Sequence, residues 1–187
     1  MALKWLRDKL RLIDDPADTQ AAFERTGGDS QGVFVVPAFT GLGAPYWQPN
    51  VRGLITGLTL DSDRDHVLTA FLQSVVFQTH ELLEAMHNDG AMVERLRVDG
   101  GMTVNDALCQ FLAEILNVPV QMQVNNETTA LGAAMQAGVG QGVYADLAAA
   151  SQAWHAEHDF QPAMEEARRM DLLTGYQRAI SQALTDA

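Results

Sequence analysis

The sequence predicts an α/β layered domain in which helices pack on a sheet. Three observations point there. A strand, a polar or glycine-bearing turn and a helix follow one another twice, at 96–116 and 119–138. A long segment carries a broad apolar face at helical spacing, from Leu68 through Leu72, Val76 and Leu83 to Met86. With 187 residues, 47% of them hydrophobic, the chain can bury one core but not a second full domain.

Taken in order, Leu6, Leu10 and Ile13 set a helical period over Leu3 to Ile13. A second helix begins near Asp15-Pro16-Ala17-Asp18, where Pro16 suits a first turn. Few residues precede Trp5, so the start reads as the middle of something longer. Thr26 to Gly32 is a glycine-rich polar loop, and Val33-Phe34-Val35-Val36-Pro37 reads as a buried strand. Between Thr40 and Gly53 glycine, proline and aromatics crowd together, and Leu54 to Leu58 has strand character, so a long hairpin-like connection is expected.

Ser62 with Asp65 has the spacing of a capping box and opens the long helix. Leu96-Arg97-Val98 is a strand that enters Asp99-Gly100-Gly101, after which Leu108, Phe111, Leu112, Ile115 and Leu116 mark a helix. Pro119 to Met122 is another strand, and Thr128-Thr129 caps a helix of small residues running to Gly138. Beyond Gly142 the pattern weakens, until Leu173, Tyr176, Ile180 and Leu184 define a closing helix. One domain over 1–187 is therefore expected, with a helical lead-in at 1–28, a core at 32–142 and a C-terminal helix at 160–187.

Charge narrows the partners. Twelve Lys and Arg stand against twenty-four Asp and Glu, a net of -12, which repels a nucleic-acid backbone. An anionic ligand would have to be held by local donors such as backbone N–H groups and helix N-termini. Cys109 is the only cysteine, on an apolar helical face, which fits a reducing compartment. The sequence has neither a long apolar run nor a signal-like start, and a cytoplasmic protein without membrane contact is expected. His155 and His158 lack a third ligand, so no metal site is assigned. Walker-type, serine-hydrolase and zincin motifs are lacking.

The strongest chemical signal is Val98-Asp99-Gly100-Gly101 followed by Asn105, because glycines let backbone approach a ligand and the helix N-terminus faces the same space. Asn105 can read a base or ribose, or simply cap the helix. Glu127-Thr128-Thr129 places an acid and two hydroxyls at the next helix start, with capping and close packing the favoured reading. Gly43 to Pro49 reads evenly as a site or interface and as an aromatic plug of the core.

Together, Val35 to Trp47, Arg52-Gly53, Val98 to Gly101 and Glu127 to Ala134 resemble, in order, the C-terminal domain of the glycerol kinases. The similarity runs from Trp5 to about Tyr176. Phe71 is bulkier than the pattern of the wider carbohydrate kinases expects. The resemblance implies an actin-like, ribonuclease-H-like domain with a mixed sheet, one of two that close on ATP, Mg2+ and glycerol, in an enzyme that forms oligomers of its own chain. It implies in-line transfer of the ATP γ-phosphate to glycerol, where positioning and charge neutralisation dominate. Carried over by position, Gly101 and Asn105 match nucleotide contacts at the adenosine end, with Gly100 and Asp99 shaping the loop. Lys4 stands where the family usually has a glutamine near the nucleotide. The catalytic aspartate, phosphate-binding segment and glycerol contacts would precede Met1, so these residues alone are expected to be inactive. A kinase of another polyol or sugar, and a non-catalytic actin-like module docking through Ala44 to Trp47, are the alternatives.

Overall fold

The computed structural model describes residues 2–15, 17–100, 105–122, 128–152 and 156–185. Pro16, Gly101, Glu127 and His155 lie outside the described residues.

Seven helices and five strands are present among them. In chain order they are α1 (Ala2–Asp8), α2 (Ala17–Arg25), β1 (Phe34–Val36), β2 (Leu54–Thr56), α3 (Arg64–Asn88), β3 (Leu96–Val98), α4 (Asp106–Leu116), β4 (Val120–Met122), α5 (Thr128–Gly140), α6 (Leu147–Ser151), β5 (His158–Phe160) and α7 (Glu166–Thr185).

The strands form two ladders. β1 and β2 pair antiparallel, with Val35 opposite Ile55. β4 is central in the other, parallel to β3 and antiparallel to β5, so that sheet is mixed. β5 is an addition to the sequence reading. His158-Asp159-Phe160 has no strong pattern of its own, and its pairing with β4 makes it a strand.

β1 separates two apolar clusters because successive side chains leave opposite faces of a strand. Val36 enters the larger cluster with Leu72, Phe77, Phe111, Tyr176 and Ile180. Val35 enters the smaller one with Leu6, Ile13, Leu68 and Phe71. α3 serves both. Over Leu68 to Phe77 nearly every side chain is buried, Thr69, Gln73 and Ser74 included, whereas Leu82 and Met86 are exposed. The expected apolar face thus describes the helix only in part: between Leu68 and Phe77 it is enclosed on every side except at Val75. Phe71 is accommodated beside Trp5, ring centres 5.9 Å apart.

Three helix boundaries differ from the sequence reading: the closing helix, expected from 160, begins at Glu166 because Phe160 belongs to β5, and the other two are at α1 and α3. α1 stops at Asp8 because the backbone turns left-handed at Arg11, φ 54°, and the Leu12 N–H returns to the Leu6 carbonyl at 3.0 Å. That turn carries Ile13 into the smaller cluster. At α3 the cap is Asp63 rather than Ser62. The Asp63 carboxylate accepts from the Asp65 and His66 N–H groups at 2.9 and 3.1 Å, and His66 Nδ1 accepts from the Asp63 N–H at 3.2 Å. Ser62 instead accepts from the Thr59 N–H at 3.0 Å.

Candidate functional site

β3 and β4 run parallel, and each is followed by a helix, so the N-termini of α4 and α5 both lie beyond the carboxyl ends of the strands. Open α/β sheets bind ligands at such edges. β3 leads into Asp99 and Gly100. Gly100 has φ 96°, a conformation that side-chain-bearing residues rarely adopt, and a Cβ there would meet no protein atom within 4 Å. Glycine is required by the backbone, not by crowding.

Asn105 closes the turn. It is 6% exposed, and its Oδ1 accepts the Leu108 N–H at 3.0 Å, making it the N-cap of α4. The capping reading is therefore present in the structure. Because Oδ1 is committed to the helix, any recognition of a ligand falls to the side-chain N–H2 group. Behind it α4 is anchored by Leu108, Phe111 and Ile115 in the larger cluster.

A contact across the two strand ends completes the edge: the Thr128 hydroxyl donates to the Asp99 carboxylate. Asp99 and Thr128 stood in separate motifs in the sequence, and only the parallel pairing of β3 with β4 brings them together. Asp106 adds a second carboxylate in the first turn of α4. Two helix N-termini attract an anion, but two carboxylates oppose one. The edge therefore favours the uncharged part of a mixed ligand over its phosphates.

The remaining sequence candidates are placed as follows. Lys4 is exposed on α1, whose Leu6 packs in the smaller cluster, and no hydrogen bond or ion pair among the described residues joins Lys4 to Asn105. Gly101 lies outside the described residues. His158 stacks on Phe160, and no group of three His, Cys, Asp or Glu among the described residues could hold a metal ion. Cys109 is buried, and burial pushes its thiol up to about 11, so it is protonated and inert at neutral pH.

In the aromatic loop the core-plug reading holds for Tyr46. Leu42 and Gln48 bridge with hydrogen bonds of 2.8 and 2.9 Å, and the Tyr46 and Trp47 N–H groups both reach the Gly43 carbonyl. Tyr46 turns inward, packs on the larger cluster and donates its hydroxyl to Glu81. Trp47 turns outward, 75% exposed, with φ 52°.

Comparison with known proteins gives a consistent picture. Residues 1–140 match the family model described as the FGGY family of carbohydrate kinases, C-terminal domain. Glycerol kinase 1 of Pseudomonas aeruginosa is 48% identical over 186 residues, covering 100% of this chain and 37% of that protein. Glycerol kinase of Coxiella burnetii is 45% identical over 186 residues, again covering 37% of its length. Among solved structures, Plasmodium falciparum glycerol kinase with ADP superposes with a TM-score of 0.89 at 33% identity, over 98% of this chain and 36% of that one. A ligand-bound xylulose kinase from Lactobacillus acidophilus shares the fold, with a TM-score of 0.83 at 24% identity. The chain thus spans little more than a third of the length of the relatives it matches.

Proposed function

The chain belongs to the FGGY family of carbohydrate kinases, as its C-terminal domain, and from that premise we propose that it forms the nucleotide-binding half of an ATP:glycerol 3-phosphotransferase. In this reading the edge formed by Asp99, Gly100, Asn105 and Thr128 receives the adenosine end of ATP. By resemblance Gly101, which lies outside the described residues, would contact the same end of the nucleotide, and Lys4 replaces the glutamine the family usually has near it. Mg2+ would supply charge neutralisation for phosphoryl transfer, and the described residues supply no ligand set for it. The catalytic aspartate and glycerol contacts would come from the other domain of the kinase.

The observation that carries the proposal is the glycine turn at Gly100 set against the capped start of α4, with Thr128 of α5 drawn in by Asp99. That pair of acids beside the turn supports adenosine rather than phosphate as the portion held. Relatives that match the whole of this chain support glycerol as the substrate, being named glycerol kinases. The cytoplasm, where ATP is abundant, is the corresponding compartment, and among the described residues no helix is long and apolar enough to cross a membrane.

Calorimetric titration of this chain with ADP and ATP tests the reading. Adenosine should compete with either nucleotide and pyrophosphate should not; the reverse order would overturn it. Asn105→Asp keeps a capping oxygen but removes the amide donor, so it should weaken nucleotide binding while the helix content stays unchanged. A coupled assay for glycerol 3-phosphate should find turnover in the two-domain kinase and none in this chain alone.

A further inference from the structure

A cavity of about 420 Å³ lies between the aromatic loop, α3 and α7, remote in the chain from the β3–α4 turn. Its walls are apolar, formed by Leu42, Pro45, Val75, Leu82 and Ile180. Val75 and Leu82 are about two-fifths exposed, so the cavity opens to solvent along α3. Against this apolar surround stand one carboxylate, Glu81, and two phenol rings, Tyr46 and Tyr176.

Glu81 is held in place by two neutral donors, the Tyr46 hydroxyl and the Gln177 amide, one on each carboxylate oxygen. No Lys, Arg or His forms an ion pair with it among the described residues. The charge is oriented but not neutralised. The Tyr176 hydroxyl is wholly buried, on a side chain 1% exposed, and makes no hydrogen bond of normal geometry, with the Gln78 amide alongside it. A buried polar group left without a partner is costly, so natural structures rarely keep one without use.

We propose that this cavity is a binding site for an organic cation, an ammonium or guanidinium group on an apolar stem. Each part of the lining matches one part of such a ligand. The carboxylate supplies the counter-charge, and hydrogen bonds to an ionised group are the stronger kind. The half-buried ring of Tyr46 attracts a cation through its quadrupole. The Tyr176 oxygen and the Gln78 carbonyl accept the remaining N–H groups. Leu42, Val75, Leu82 and Ile180 cover the stem. An anion is disfavoured by Glu81, and a polyol by the apolar walls. The ligand can be a free amine or the side chain of a Lys or Arg on a partner protein, since the two present the same chemistry.

The test uses the unmodified chain with benzamidinium and its uncharged isostere benzamide, followed by NMR shifts and calorimetry. Benzamidinium should bind saturably, at least about tenfold tighter than benzamide, and shift the resonances of Leu82 and Ile180. Glu81→Gln, which keeps an acceptor for Tyr46, should remove that preference. Equal affinity for the two probes, no saturable binding, or an unchanged preference in Glu81→Gln would each overturn the proposal. A hexapeptide with one central arginine separates the sources. Binding at least about tenfold tighter than benzamidinium identifies a protein side chain, because flanking residues then contribute; equal or weaker binding identifies a free amine. Neither outcome depends on nucleotide binding, so the two sites are tested apart.

Discussion

At the scale of single residues, Asn105 performs the capping task that the sequence allowed it beside a ligand contact. Removing it should show both roles. Asn105→Ala loses the cap as well as any ligand contact and should cost about 0.5–2 kcal/mol in urea denaturation, whereas Asn105→Asp should be nearly neutral in stability. Gly57 is more demanding. It has φ 83°, and a Cβ there would stand 2.0 Å from the Gly32 carbonyl oxygen, which is backbone and cannot rotate away. Gly57→Ala should cost at least about 2 kcal/mol, read from the same denaturation curves. Tyr176→Phe should act in the opposite direction and stabilise the ligand-free chain by about 1 kcal/mol, since it deletes a hydroxyl that has no partner. Cys109 gives a pH signature. Its thiol is raised from 9.0 to about 11 by burial, so the folded state prefers the protonated form. Stability from this group is complete below pH 9 and is lost as pH rises through 11. Urea midpoints taken at pH 8 and pH 11 should diverge, and less so in Cys109→Ala.

Elements were legible where their own residues fix them. α4 was predicted because Leu108, Phe111, Leu112 and Ile115 repeat at helical spacing, and β1 and β2 because β-formers flank a turn-rich stretch. What escaped depends on distant partners or on backbone geometry. β5 exists through β4. The end of α1 depends on a left-handed arginine, a conformation usually announced by glycine, and Arg11 gives no such warning. At α3 two adjacent residues can both cap, and the choice of Asp63 is made by His66, which reaches back to it. Asp63→Ala should therefore lower stability by about 0.5–2 kcal/mol, and Ser62→Ala by clearly less, as thermal unfolding would show. Within the candidate site, the glycine turn and Asn105 were readable as a motif. The Asp99–Thr128 contact was not, because the pairing of β3 with β4 sets it. Tyr46 could be singled out by composition, yet its bond to Glu81 needs α3 in place.

At the scale of the whole molecule, charge and ligand work against each other. A protein of net charge -12 repels the phosphates of a nucleotide at long range, while in the proposed function local groups hold the nucleoside at short range. Salt screens the first effect more than the second. Association of ATP, followed by stopped-flow fluorescence, should accelerate as ionic strength rises from low to physiological values, with little change in dissociation. The position of β1 has a further consequence. Its two faces are completed by residues from opposite ends of the chain, Leu6 and Ile13 on one side and Tyr176 and Ile180 on the other. Gly175 lets α7 press directly on the ring of Phe34. Such closure has a high loop entropy and comes late, so folding should be slow for a chain this helical, and the β1 amide protons, paired with β2, should reach full protection only when α7 docks. Pulse-labelled hydrogen exchange would see α3 and α4 protected first and β1 last, giving the order in which the domain becomes one cooperative unit.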